Sequence, residues 1–121
     1  MNLPPINQLP LTVGQRSLLR AARLIHHAHD EARQDTIRAG GVFPSWLEQD
    51  CATLLLLAVT PLPEGLPLEG ATPGLPGCVN ALSAAELELR RLPIYAYPPG
   101  TSRLVVMLCD VLAAAREQSQ P

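Results

Sequence analysis

Between Leu11 and Thr36 the apolar and small positions return in steps of three and four. Leu11, Leu18, Ala22, Ile25, His29, Ala32 and Thr36 share one helical face, and Leu19 and Ala28 widen it. The opposite face reads Arg16, Arg20, Arg23, His27, Asp30, Gln34 and Arg38. The pattern predicts one long amphipathic helix that starts at Leu11 or Thr12 and carries a mostly basic outer stripe. Gly40 and Gly41 supply its end, because glycine enters the left-handed conformation that closes helices.

Further along, Ser45-Trp46-Leu47-Glu48 has the spacing of a capping box, in which serine and glutamate side chains satisfy the free amides of a helix start. A second helix is expected from there to about Val59. Beyond Cys51 it is apolar nearly all round, the pattern of a central helix covered on several sides. Leu82-Ser83-Ala84-Ala85-Glu86-Leu87 repeats the box, with Ser83 as cap and Leu82 and Leu87 as a hydrophobic staple. It predicts a short third helix that ends near Arg91, ahead of Pro93. From Thr60 to Asn80, five prolines, four glycines and the near-repeat Leu-Pro-Glu-Gly, Leu-Pro-Leu-Glu-Gly exclude regular structure. The leucines of this crossover (Leu62, Leu66, Leu68 and Leu75) argue that it lies against the body.

The C-terminal third admits two readings. Leu92 to Tyr97 alternates like a strand, Pro98-Pro99-Gly100 is a turn, and Thr101 or Ser102 can cap a fourth helix through Gln118. Alternatively Ile94–Tyr97 pairs with Leu104–Leu108 as a hairpin. Arg103, Asp110 and Glu117, seven apart, form one polar stripe on a helix and none on a strand, so the helix is preferred. The expected fold is therefore all-α, a bundle of about four helices with a long first helix and an irregular crossover. The alternative is α+β with the C-terminal hairpin. One domain spans 1–121, with an extended proline-rich arm at 1–10, the loop at 60–80 and a frayed tail at 119–121. Leu18, Ile25, Leu54, Leu55, Leu108 and Leu112 are its expected core.

Composition narrows the setting. With 47% hydrophobic and 17% charged residues the chain is an ordinary globular sequence rather than a disordered one. Its apolar runs, Leu54–Val59 and Leu104–Cys109, fall far short of the roughly 20 residues that cross a bilayer. Met1 to Gly14 lacks the basic start and apolar centre of a secretory signal. The three cysteines, Cys51, Cys78 and Cys109, are odd in number and without metal-ligand spacing. A reducing cytoplasmic location is the expectation. Every basic residue among the nine is arginine, which leans toward a high-GC, bacterial coding sequence. The net charge of −2 hides an asymmetry: residues 1–29 hold Arg16, Arg20 and Arg23 and no acid, whereas 39–89 hold six acids and no base. Internal pairing between these regions, an opposite-charge contact between subunits, or a basic patch for an acidic partner would each explain it.

Candidate chemistry is sparse. His26-His27-Ala28-His29-Asp30 offers metal-ligand pairs at helical spacing, but a closed zinc site needs four ligands and no second element supplies them. The expectation is no metal and no cofactor. No phosphate-binding glycine loop, dinucleotide fingerprint or nucleophile elbow is present, and with no lysine there is no Schiff-base chemistry. The expected function is therefore non-enzymatic: a protein-interaction module, as a bacterial or mobile-element regulator, inhibitor or small assembly subunit. Its expected anchors are the aromatic pairs Tyr95 and Tyr97, and Phe43 and Trp46, because such residues dominate binding hot spots. The alternative is nucleic-acid binding through Arg16, Arg20 and Arg23, three guanidinium groups able to span adjacent phosphates. Self-association is a further expectation: the first helix is lined with small residues and is too long for its short neighbours to cover, so a second copy or a docked partner would complete it. The other possibility is that the crossover folds back over it.

Overall fold

A computed structural model describes residues 10–69 and 75–119, with the side chain of residue 119 excepted. Most of the expected N-terminal arm, residues 70–74 of the crossover and the last two residues lie outside it. The described residues form four α-helices and one 3-10 turn and contain no strand. α1 spans Val13–Arg38, α2 Trp46–Val59, α3 Cys78–Leu89 and α4 Thr101–Ser119. The chain is thus all-α, and the C-terminal hairpin does not form: Ile94–Ala96 is a 3-10 turn and Leu104–Leu108 lies inside α4. Leu104, Leu108, Leu112 and Ala115 are buried on one face of α4 at steps of four, four and three, a period that a strand cannot serve.

α1 begins with a complete capping box. Thr12 Oγ1 accepts from Gln15 N at 3.1 Å, and Gln15 Oε1 accepts from Thr12 N at 2.9 Å. It ends in a Schellman motif, where Gly40 N donates to Ile37 O and Gly41 N donates to Thr36 O. Of the two glycines only Gly40, at φ 77°, takes the left-handed conformation. Ser45 caps α2, accepting from Glu48 N at 3.1 Å, but the box is half-formed, since the Glu48 carboxylate does not return a bond to Ser45 N.

α3 departs from expectation. It starts six residues early, at Cys78 with Gly77 rather than Ser83 in the cap position, and Ser83 lies inside it, where its hydroxyl accepts from Arg116 Nη2 at 3.2 Å. The staple is absent too, since Leu82 is fully buried and Leu87 is exposed. The reason is packing: Cys78, Ala81, Leu82, Ala85 and Leu89 are all buried, a stripe that extends upstream of the local capping signal. Thr101, expected as a cap, is the first residue of α4 and donates its hydroxyl to Pro98 O at 2.7 Å.

α1 packs chiefly against α3 and then α2, while α4 closes on the same two helices, so α1 and α4 face each other across a diagonal. Leu18, Leu19, Ala21, Ala22, Ile25 and Ala28 are inaccessible, which makes α1 the central helix. α2, expected in that place, buries only Cys51, Leu54 and Ala58 and leaves Leu56 64% exposed. Of the expected core, Leu18, Ile25, Leu54, Leu108 and Leu112 are fully buried and Leu55 is partly so. At the start of α1, Gly14 meets the 3-10 turn backbone to backbone. A Cβ there would overlap Ala96 O, so this approach admits only glycine.

Candidate partner-binding surface

The basic stripe of α1 is an internal contact surface. Arg20 Nε donates to Glu88 Oε1 of α3 at 3.0 Å, and Arg23 Nε donates to Pro67 O of the crossover at 3.0 Å. One turn on, His27 Nε2 lies 2.9 Å from Leu75 O, a contact that requires Nε2 to carry the hydrogen. Glu88 is the hub: its carboxylate also accepts from the buried Ser17 hydroxyl at 2.9 Å and from Arg91 Nη1 at 3.3 Å. Tyr97 completes the network, its hydroxyl 2.9 Å from Ser17 Oγ and donating to Glu88 O at 3.2 Å. Of the three arginines expected to meet phosphates, two therefore hold α3 and the crossover in place. Arg16 has no side-chain partner among the described residues. Among the described residues one ion pair, Arg20–Glu88, joins the basic stripe of the first helix to the acidic middle of the chain.

The same contacts show where the crossover goes. Leu62 is buried, Leu66 and Leu68 pack against the core, and two carbonyls of the crossover accept from side chains of α1. Folding-back of the crossover thus covers part of the long helix beside α2 and α3, and leaves Ile37 in its last turn exposed.

The histidines do not converge. His26 Nδ1 is 3.8 Å from Asp30 Oδ2, His27 sits beside Glu31, and His29 faces a depression lined by Ala52, Leu55, Leu56, Val59 and Leu68. Among the described residues no three His, Cys, Asp or Glu side chains are placed to hold a metal. Two cysteines do meet: Cys51 Sγ and Cys78 Sγ are 3.6 Å apart in the core. The hydrogen bond between them pushes the Cys51 pKa well above the thiol range and lowers that of Cys78, with burial opposing the second shift. Every buried side-chain nitrogen and oxygen among the described residues has a partner, so no polar group of the interior is left aimed at a ligand.

The expected aromatic anchors separate. Tyr97 is 6% exposed and belongs to the Ser17–Glu88 network, so it cannot reach a partner, whereas Tyr95 is 87% exposed. Residue type and nearness in sequence are what grouped the two tyrosines. In the 3-10 turn their side chains instead diverge, one inward and one outward. Phe43 and Trp46 stay together at the α1–α2 corner, Phe43 83% exposed and Trp46 at the edge, its Nε1 donating to Gln118 Oε1 of α4 at 2.9 Å. Ile37, in the last turn of α1, and Val42, in the connection, are exposed as well. Neither was picked out by residue type, although the run Val42-Phe43-Pro44 between a glycine pair and a serine cap is unusually apolar for a helix connection.

No helix among the described residues is long and apolar enough to cross a membrane. The chain matches no protein-family model, and neither a curated protein nor a solved structure shows significant similarity to it.

Proposed function

We propose that the chain is a non-enzymatic protein-interaction module that grips its partner with the α1–α2 corner, Phe43 being the anchor and Trp46 its neighbour. One observation carries the reading: Ile37, Val42, Phe43 and Trp46, which lie within ten positions of one another from the last turn of α1 to the first residue of α2, are all exposed to solvent. Burying a side chain such as Phe43 is worth roughly 1.5–3 kcal/mol, and Trp and Phe are typical of interface centres. The corner is also rigid. The Schellman motif at Gly40, the Ser45 cap, the bond from Gln49 Nε2 to Pro44 O at 3.1 Å and the Trp46–Gln118 bond fix both of its flanks. A partner would therefore pay little ordering entropy on binding. Tyr95 is a second exposed anchor on the 3-10 turn. The arginine-only basic set favours a bacterial source, in which such a module would act as a regulator, an inhibitor or a small assembly subunit. The odd number of cysteines supports a reducing, cytoplasmic setting.

The test compares immobilised wild type with Phe43→Asp in extract of the source organism. Phe43 is exposed, so the variant should melt as the wild type does. The reading expects a protein retained by the wild type and lost from the variant; identical profiles from the two columns would defeat it.

A further inference from the structure

The outer stripe of α4 carries a charge order that points to a second copy of the chain. Arg103, Val106, Asp110, Ala113 and Glu117 follow one another in steps of three and four and are all exposed. Val106 is 63% exposed. Beside it, Leu57 of α2 and Met107 line a shallow depression of about 360 Å³, with Arg103 and Asp110 also in its wall. Neither charge has a side-chain partner among the described residues. Seven residues of helix separate them by about 10.5 Å along the axis, too far to pair with each other.

We propose that this face joins two copies of the chain, with their α4 helices antiparallel about a two-fold axis that passes between Val106 and Met107. In that register Arg103 lies opposite Asp110 of the second copy, and the symmetry makes the pair twice. Val106 lies opposite Met107 of the second copy, and Ala113 meets Gly100, two small residues that let the backbones approach. Other arrangements are penalised by the same charges. Parallel packing would set Arg103 against Arg103, and an antiparallel register centred on Asp110 would bring two carboxylates together. Positions of opposite charge equidistant from an apolar centre satisfy an isologous interface, because the two-fold axis sets each charge against its opposite.

The proposal does not rest on the α1–α2 corner. α2 and α4 run antiparallel, with Trp46 meeting Gln118 at one end and Leu57 lying beside Val106 at the other, so the two surfaces occupy opposite ends of α2. It also moves self-association away from α1, whose stripe the crossover and α3 already cover.

Sedimentation equilibrium from micromolar to millimolar concentration tests it, with circular dichroism to show that each variant is folded. The wild type should self-associate, and Val106→Glu should raise the dissociation constant by about tenfold or more. Arg103→Asp and Asp110→Arg should each weaken association, while the double swap, which restores opposite signs across the interface, should recover it to within about threefold of wild type. Should Val106→Glu fail to fold, the charge-swap set decides alone. A wild type that stays monomeric at millimolar concentration overturns the proposal, as does a dimer indifferent to these variants or a double swap no better than its singles. None of these results bears on the capture experiment with Phe43→Asp, so the two readings fail separately.

Discussion

α1 and α2 exchange the places that their sequences suggest. α1 has a polar side of arginine, histidine and serine, yet it is the helix on which α2, α3 and the crossover all pack. α2 runs Leu54-Leu55-Leu56-Leu57-Ala58-Val59 and sits at the periphery with Leu56 in solvent. The difference teaches that position in a bundle follows from how many neighbours a helix can satisfy, and apolar content is only one way of satisfying them. The polar side of α1 is interior-compatible because Glu88 and two crossover carbonyls meet its donors. Its alanines also let α2 and α3 approach closely, whereas α2 has only one face that reaches the core.

The sharpest way to break this comparison is truncation of the central helix. Leu18→Ala should destabilise the fold by about 2–5 kcal/mol, read from the midpoint of urea unfolding, because Leu18 is wholly inaccessible. A loss below 1 kcal/mol would remove α1 from the centre. Next in size is Glu88→Ala, expected to cost about 1–3 kcal/mol. It removes the ion-pair partner of Arg20 and one acceptor of the Ser17 hydroxyl, which keeps Tyr97 and the residue-88 carbonyl, and Arg20, being partly exposed, recovers some of its loss from water. A double cycle with Arg20→Ala should then show coupling between the two positions; additive losses would mean that the polar side of α1 is not held by α3.

Smaller effects separate the two serines that look alike in sequence. Ser45→Ala removes a real cap and should lower stability by about 1 kcal/mol, whereas Ser83→Ala, inside α3, should change it by no more than about 0.5 kcal/mol. Equal thermal shifts from the pair would contradict the observed start of α3. At the bottom of the scale, Leu56→Ser on the outer face of α2 should alter the unfolding midpoint by about 0.5 kcal/mol or less. A loss comparable with that of Leu18→Ala would show α2 to be covered after all.

The pattern of residues alone determined the all-α class, the span of α1, the start of α2 and the helical C-terminus. Each rests on a local signal: a 3.6-residue period, a glycine pair, or a serine three residues before a glutamate. Of the candidate anchors it found Phe43, Trp46 and Tyr95 by residue type, but it grouped Tyr97 with them, and it missed Ile37 and Val42. Exposure depends on which neighbours arrive, and the stretch around Tyr97 is turned inward by Ser17 and Glu88, 80 and 9 positions away in the chain. The start of α3 was likewise beyond local reading, because burial of Cys78 and Ala81 outweighs a cap at Ser83. The basic stripe shows the division most clearly. Sequence placed Arg20 and Arg23 on the outer face of a helix, and only tertiary structure decided that this face is covered, since a carboxylate and a carbonyl from distant segments supply the partners that water would otherwise provide.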